Sequence, residues 1–348
     1  MKSIKNLLLF GALPFVLTAC EPDSPVGGGE VAGNALYYVL NSGDWSSSNS
    51  SLSMFDLESG AVTDDCFLQK NGRGLGNTAN DIIVYGAKMY IAVAGESTIE
   101  VTDLEAKSIK QIKCDGQPRY LAAAGDAVYA TYYNGYVARI DTASLDVDAT
   151  VKVGRNPEGI AVFDNKLYVA NSGGMDYNAE VGYDRTVSVV DLKTFSETKK
   201  IEVVVNPALV VATGNGVFVA SYGNYADVSG ALQFINSKDE VTVPVDCSNM
   251  TEFCALDGTL YGFFSRYDAN WVPTITYLSY NIASGELDSP WIKEEVLPVP
   301  YKVCAAGGYV CVTASDYITD GEVYVYDGDG MLVKMVNAGL NPIKVVKK

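Results

Sequence analysis

The sequence contains no histidine, and this absence excludes several kinds of chemistry before any motif is considered. Ser-His-Asp and Cys-His catalytic groups and histidine-ligated metal sites all need an imidazole. Basic residues are also few, since 25 lysines and arginines stand against 42 aspartates and glutamates, for a net charge of −17. So acidic a chain disfavours nucleic acid and anionic polysaccharide as partners and suits a neutral or cationic ligand.

Long apolar runs are missing beyond the N-terminus, where Lys2 and Lys5 precede the apolar segment 7–17. No later run is long enough to span a bilayer, and none repeats with a helical period. Residues 1–19 are therefore predicted to be a signal peptide. The Leu-Thr-Ala-Cys sequence that follows resembles the lipobox of bacterial lipoproteins, and the resemblance implies that Cys20 is lipidated. An ordinary signal peptide with a nearby cysteine is the alternative.

The segment after Cys20 is acidic at first and then rich in proline and glycine. Its Glu-Pro-Asp start resembles the surface-export signal of Bacteroidetes lipoproteins. Proline- and glycine-rich segments behave as extended or flexible linkers. We therefore expect a signal peptide at 1–19, a lipidated cysteine and flexible tether at 20–33, and a folded domain at 34–348.

Short segments of β-branched and aromatic residues fill the rest of the chain, which has 23 tyrosines. They are clearest in 154–203, where the segments 159–163, 166–171, 186–191 and 198–203 are separated by polar or glycine-containing breaks. This pattern is typical of four antiparallel strands joined by turns. A four-stranded sheet alone cannot bury both of its faces, so one such unit predicts neighbouring units.

The same unit recurs along the chain and can be followed by one polar residue at the end of its third strand. Asp or Asn there can bind backbone N–H groups two residues on and start a hairpin. This position is occupied in turn by Asp56, Asp103, Asp141, Asp191, Asn236, Asn281 and Asp327. Gln-Pro or Asn-Pro precedes the first strand in several units. Seven such units predict an all-β fold, a seven-bladed β-propeller of four-stranded antiparallel blades. A two-domain sandwich is the alternative, and the regular repetition disfavours it.

The two ends of the repeat are complementary. The first unit lacks a first strand before Ala35, and residues 341–346 form a first strand with nothing after it. We therefore expect the C-terminal strand to complete the N-terminal blade, which removes an open sheet edge.

Six cysteines follow Cys20, and none of them forms a CxxC pair. Cys304 and Cys311 flank a tight turn and are expected on adjacent strands. An exported protein can form disulfides, but an even number alone does not establish pairing. Burial as small apolar residues is the preferred interpretation for most of them.

Loops that join second to third strands should share one face with the turns before the first strands. In five blades these loops are expected to be long, with tyrosine, tryptophan, asparagine and aspartate, and in blades 2 and 3 short. Such residues combine rigid contact area with adaptable hydrogen bonding. The candidate ligand-binding residues are Asn41, Trp45, Arg73, Arg119, Tyr132, Arg155, Asn171, Tyr177, Tyr222, Arg266, Trp271 and Tyr317. The alternatives are aromatics that cover blade edges and arginines in local salt bridges.

No catalytic group and no metal site is predicted. The Asp-Gly-Asp-Gly segment at 327–330 lacks the closing glutamate of a calcium loop, so a hairpin turn is the better interpretation.

The lipobox, the tether and the NP…LYVANS…VSVVDL repeat together resemble the seven-bladed surface propeller lipoproteins of gut Bacteroidetes. The YVLNSGDW segment and the Asn-Pro dipeptides are most similar to the cobalamin-capturing lipoproteins among them. That resemblance implies a lipid-anchored protein of the outer membrane, exposed at the cell surface. It implies capture of a corrinoid ligand without catalysis or a cofactor, and transfer to a TonB-dependent outer-membrane transporter. A glycan-binding or adhesion propeller and, less favoured, a metal-dependent lactonase are the alternatives.

Overall fold

The computed structural model describes residues 35–243, 247, 249–267, 273–293 and 299–348. The predicted signal peptide, Cys20 and the predicted tether lie outside the described residues, and so does Trp271. For Tyr267 the backbone is described and the side chain is not.

The described residues form seven four-stranded antiparallel sheets in a ring, so the predicted seven-bladed propeller is confirmed. Each blade is given from its inner to its outer strand. Blade 1 consists of β28 (Pro342–Lys347), β1 (Leu36–Asn41), β2 (Ser51–Asp56) and β3 (Val62–Thr63). Blade 2 consists of β4 (Ala79–Tyr85), β5 (Lys88–Val93), β6 (Thr98–Asp103) and β7 (Ser108–Lys113). Blade 3 consists of β8 (Pro118–Ala124), β9 (Ala127–Tyr132), β10 (Tyr136–Asp141) and β11 (Val147–Lys152).

The remaining blades follow the same order of strands. Blades 4 and 5 consist of β12 (Pro157–Phe163), β13 (Lys166–Asn171), β14 (Thr186–Asp191) and β15 (Ser196–Glu202), and of β16 (Pro207–Thr213), β17 (Gly216–Ser221), β18 (Ala231–Asn236) and β19 (Val241–Thr242). Blades 6 and 7 consist of β20 (Glu252–Leu256), β21 (Thr259–Tyr267), β22 (Pro273–Asn281) and β23 (Leu287–Asp288), and of β24 (Pro300–Ala306), β25 (Tyr309–Ala314), β26 (Asp320–Tyr326) and β27 (Leu332–Leu340).

The polar residue that ends each third strand has the structural role that its chemistry predicts. The Asp56 carboxylate accepts the Ser59 N–H at 2.7 Å, and Asp191 accepts the Thr194 N–H at 2.8 Å. The other five positions accept backbone N–H groups in the same way. These donors hold the pKa of Asp56 and Asp191 below the usual range. Each residue closes the hairpin between the third and fourth strands.

Closure of the ring follows the predicted topology, because β28 pairs antiparallel with β1 as the inner strand of blade 1. Val346 lies opposite Tyr38 in the register. The corner is fixed by the Ser42 N–H, which donates to the Asn341 carbonyl at 2.9 Å, and by the Asn341 amide, which donates to the Gly43 carbonyl at 2.9 Å.

Apolar packing lies between neighbouring blades. The described residues form seven buried clusters, and each cluster joins side chains from two adjacent blades. The cluster between blades 7 and 1, for example, combines Val323 and Val325 with Tyr37, Phe55 and Val345. Each blade therefore buries both faces by contact with its two neighbours, as a four-stranded sheet must.

Blade 1 differs from the predicted pattern because the helix α1 (Cys66–Asn71) follows its short fourth strand, Val62–Thr63. The Asp65 carboxylate caps this helix by accepting the Leu68 N–H at 3.2 Å, and Gly72 ends it with a left-handed backbone, φ 65°. The helix buries Cys66 and Phe67. Six residues are too few to show a helical period in the sequence.

Two further observations concern membrane-spanning helices and the cysteines. Among the described residues no helix is long and apolar enough to cross a membrane. The six cysteines after Cys20 are buried thiols, and Cys304 lies opposite Cys311 on the adjacent strands β24 and β25. Both expectations for these cysteines, burial and adjacent strands, are confirmed.

Candidate binding face and central channel

The two candidate asparagines lie inside the blades, at the last residue of a second strand. Asn171 is fully buried, and its amide donates to the hydroxyls of Thr186 and Ser188 at 3.0 and 2.9 Å. Its carbonyl accepts the Gly154 N–H at 3.0 Å. Asn41 makes the equivalent contacts in blade 1, with two serine hydroxyls and the Gly339 N–H. These side chains join the second strand, the third strand and the incoming chain, so the structure places them in the scaffold.

Replacement of Asn171 by alanine is expected to lower the free energy of unfolding by about 2 kcal/mol or more. The substitution leaves the buried Gly154 N–H and the Ser188 hydroxyl without their partner, and a buried unsatisfied polar group costs about 1–3 kcal/mol. Chemical denaturation of Asn171→Ala beside Asn215→Ala, at an exposed turn, measures the difference. Equal stability of the two variants would contradict this role.

Tyr132 also lies within a blade rather than on its surface. It is the last residue of β9, its ring packs in the cluster between blades 2 and 3, and it is almost fully buried. Burial, reinforced by the neighbouring Cys114, raises the pKa of its hydroxyl well above the usual value. The structure therefore does not bring Tyr132 to a binding surface.

Arg73 lies away from the ring axis, in the segment after α1. Its guanidinium donates to both carboxylate oxygens of the buried Glu100, at 2.9 and 3.0 Å, and lies 5.0 Å from the centre of the Phe67 ring. Because Glu100 is on the third strand of blade 2, this ion pair joins blades 1 and 2. It is the local salt bridge named above as the alternative.

Arg155 organises the long loop of blade 4. Its guanidinium donates to the Asp176 carboxylate and, at 2.9 Å, to the Gly182 carbonyl, and it lies 3.6 Å from the Asp184 carboxylate. Two carboxylates of the loop thus neutralise its charge. The side chain fixes the loop that carries Tyr177 and is not free to recognise an anion.

One face of the ring, here called the loop face, carries the connections from second to third strands and the turns before the first strands. Its connections at 42–50, 172–185 and 222–230 are long, and those at 94–97 and 133–135 are short, as expected. The blade 7 connection, 315–319, is shorter than expected. In blade 6 the strands β21 and β22 extend to Tyr267 and from Pro273, so both ends of the expected loop at 265–274 are strand.

The loop face bears the most exposed aromatic side chains of the described residues. Trp45 is 82% exposed, Tyr225 75%, Tyr317 63% and Tyr177 61%. The loops add the exposed apolar residues Met175, Val181, Val228 and Ile318. Large exposed apolar side chains clustered on one face are typical of interaction sites. Three of the four aromatics are candidates from the sequence, and Tyr225 was missed as a member of that set.

Ring contacts hold some of these loops together. Tyr183 of blade 4 meets Tyr225 of blade 5 edge to face at 6.3 Å between ring centres. Tyr317 meets Tyr301, on the inner strand of blade 7, in the same manner at 5.2 Å. The aromatic loops therefore connect to one another and to the mouth of the central channel.

A lateral cavity of about 530 Å³ opens on the loop face beside blades 5 and 6. Tyr222, Tyr225, Thr251, Phe264 and Arg266 contribute to its lining. The exposed Arg266 guanidinium lies 5.1 Å from the centre of the Phe264 ring. The structure thus brings the candidates Tyr222 and Arg266 together.

The central channel, lined by the inner strands of the blades, encloses about 440 Å³ and also reaches Tyr222. Three ion pairs lie along its wall, each between the inner strands of two adjacent blades. Their closest contacts are Arg119 Nε to Glu158 Oε2 at 2.9 Å, Lys302 Nζ to Glu252 Oε1 at 2.7 Å, and Lys344 Nζ to Asp81 Oδ1 at 2.6 Å. Of these six residues only Arg119 was a candidate. All six occur within the first three residues of an inner strand, a position that could have marked them.

The ion pairs and burial together set the pKa values of the channel's cations and tyrosines. Burial opposes the charge of Lys302, but Glu252, Tyr222 and Tyr120 together more than offset it, so the pKa of Lys302 lies well above its usual value. The same competition with Glu158 raises the pKa of Arg119. Burial and Glu252 raise the pKa of Tyr222, whose hydroxyl donates to Glu252 at 2.6 Å. Burial also raises the pKa of Tyr120 to about 12. The cations stay charged and the phenols stay protonated at neutral pH.

No group of histidine, cysteine, aspartate and glutamate in the described part of the chain is arranged to hold a metal ion. The three channel carboxylates each face a cation instead.

Residues 36–203 match the family described as "Domain of unknown function (DUF5074)". The match spans blades 1 to 4 and names no activity. No curated protein matches the sequence.

Solved structures that resemble the chain are propeller proteins of low sequence identity. A provisionally named 6-phosphogluconolactonase from Bacteroides uniformis is 13% identical with a TM-score of 0.61, over 91% of this chain and 100% of that one. Hydrazine synthase from Kuenenia stuttgartiensis is 17% identical with a TM-score of 0.58, over 74% and 85%. BamB from Moraxella catarrhalis is 12% identical with a TM-score of 0.51, over 88% and 83%. At these identities the likeness shows the fold alone.

Proposed function

We propose that this protein captures an amphipathic ligand, a corrinoid such as cobalamin, on its loop face. The observation that carries the proposal is the set of exposed aromatic side chains, Trp45, Tyr177, Tyr225 and Tyr317, on loops of four blades of one face. Exposing large aromatic rings to water has a free-energy cost that a bound ligand removes. A ligand that spans several of these loops must be larger than either cavity.

A corrinoid matches this face in chemistry as well as in breadth. Its apolar ring faces can pack on tyrosine and tryptophan, while its amide side chains can bond the polar loop residues. It carries little net charge, so an acidic protein can hold it without a basic patch. The chain's net charge of −17 is compatible with such a ligand.

The lipobox resemblance extends the proposal to location and partner. A lipid anchor at Cys20 holds the propeller at the cell surface, and the ligand passes to a TonB-dependent outer-membrane transporter. The protein binds its ligand without transforming it and needs no cofactor. The pairing of Asp81, Glu158 and Glu252 with cations favours binding over a lactonase with metal-binding carboxylates at the axis.

Calorimetric titration of the purified protein with cyanocobalamin is expected to give saturable 1:1 binding. Trp45→Ala and Tyr177→Ala should each weaken binding by about tenfold, because removing a contacting aromatic ring commonly costs more than about 1 kcal/mol. Met335→Ala, an exposed apolar residue on the outer strand of blade 7, is the matched control and should leave affinity unchanged. If micromolar cyanocobalamin gave neither heat nor a complex, a corrinoid would be ruled out as the ligand.

Glycan binding is the second candidate, because exposed aromatic rings also stack on sugars. A glycan array separates the two functions. Sugar binding that Trp45→Ala abolishes, together with no binding of cyanocobalamin, would favour the glycan-binding propeller.

A further inference from the structure

Each carboxylate of the central channel already accepts hydrogen bonds from described residues. Both oxygens of Glu158 accept from Arg119, at 2.9 and 3.1 Å. Asp81 accepts from Lys344 at 2.6 Å and from the Leu121 N–H at 2.8 Å. One Glu252 oxygen accepts from both Lys302 and Tyr222. Of the six oxygens of these three carboxylates, the second Glu252 oxygen is the one to which no described residue donates.

The cations of the channel keep donors that no described residue uses. Lys302 and Lys344 each donate to a single described partner, although an ammonium has three N–H groups. Arg119 uses Nε and one terminal nitrogen on Glu158, and its other terminal nitrogen donates to none of the described residues. The channel therefore offers unused N–H donors, while its three positive and three negative side chains balance.

Tyrosines add further polar groups on opposite sides of the channel. Tyr120 is on blade 3 and Tyr301 is on blade 7, and both line the channel. Neither hydroxyl donates to or accepts from another described residue. Tyr120 and Lys302 influence each other's pKa, so the two side chains lie within electrostatic range across the channel.

We propose that the central channel is a second binding site, separate from the loop face, for a small hydroxycarboxylate. The ligand carboxylate accepts the unused N–H groups of Lys302 and Arg119, and a ligand hydroxyl donates to the free oxygen of Glu252. The volume of about 440 Å³ suits a small molecule and excludes a corrinoid or an oligosaccharide. Because the channel's own charges balance, a monoanion adds one uncompensated negative charge and a dianion adds two, so the channel favours a monoanion over a dianion.

Calorimetry on the full chain with D-gluconate as the probe tests this site, with sodium sulfate as the dianion. Gluconate should bind saturably and sulfate more weakly. Lys302→Met keeps the apolar stem and removes the ammonium, so it should weaken gluconate binding about tenfold or more, because hydrogen bonds between charged groups are the strong ones. Lys334→Met, on the outer strand of blade 7, should bind as the unmodified protein does.

Two further variants make the outcome decisive. Tyr301→Phe removes only one hydroxyl and should weaken gluconate binding without loss of stability, so it replaces Lys302→Met if that variant unfolds. Trp45→Ala should leave gluconate binding unchanged, because the channel site does not depend on the loop face. The proposal would be overturned if gluconate did not bind, or if sulfate bound as tightly as gluconate or more tightly. It would also be overturned if Lys302→Met and Tyr301→Phe both left gluconate binding intact.

Discussion

Deletion of residues 341–348 is expected to abolish cooperative folding of the whole propeller, not only of blade 1. The deletion removes the inner strand β28 and uncovers the edge of β1. It also removes Val345 from the cluster between blades 7 and 1 and the Lys344 partner of the buried Asp81. Because every blade is buried by its neighbours, an opened ring leaves the facing surfaces of blades 7 and 2 without their partner.

The expected loss is comparable with the total stability of a typical domain, about 5–15 kcal/mol. Near-ultraviolet circular dichroism during thermal unfolding measures it. Removal of Lys348 alone deletes the partner of the exposed Glu105 and should change the midpoint little. A synthetic peptide of residues 341–348, added to the truncated protein, should restore part of the transition. A truncated protein that melts as the full chain does would contradict closure of the ring by β28.

Glu158→Gln is expected to lower the free energy of unfolding by about 3–5 kcal/mol. The Glu158 side chain is 11% exposed and Arg119 is 23% exposed, so the substitution leaves a largely buried guanidinium without its counter-ion. Removal of one partner from a buried ion pair typically has an effect of about this size. Chemical denaturation at neutral pH gives the value.

The matched control is Asp146→Asn, which breaks the exposed pair with Lys110 and should change stability by less than about 1 kcal/mol. The double variant Arg119→Met with Glu158→Leu should recover most of the loss, because it removes both charges rather than one. Similar effects of Glu158→Gln and Asp146→Asn would show that the channel pair is solvated like a surface pair.

The architecture could be predicted from the sequence because its signals are local. Each Asp or Asn at the end of a third strand acts on backbone groups two to four residues away, as Asp191 does on Thr194. The Asn-Pro dipeptides mark turns in which Asn156, Asn206 and Asn341 have left-handed backbone conformations, which asparagine tolerates better than most residues. The helix α1 was missed because it is too short to show a period.

The candidate site was harder to predict, because its geometry depends on partners that are distant in sequence. Asn41 and Asn171 stand beside loops in the sequence, but strand register turns their amides into the blades. The partners Lys344 and Asp81 are 263 residues apart, so neither residue alone indicates an ion pair in the channel. Trp45 and Tyr177 were identified correctly as loop residues, since a long polar connection leaves an aromatic ring few places to pack.

The pairing of β28 with β1 also places both ends of the described propeller on one face. The Lys348 N–H donates to the Leu36 carbonyl at 2.9 Å, so the ring's first and last strands have their free ends side by side. These ends lie on the face opposite the loop face, because β1 runs from Leu36 towards the 42–50 connection. Trp45 and Tyr177 therefore lie on the face opposite both ends of the described propeller, so a label placed at Ala35 or Lys348 would leave the loop face uncovered.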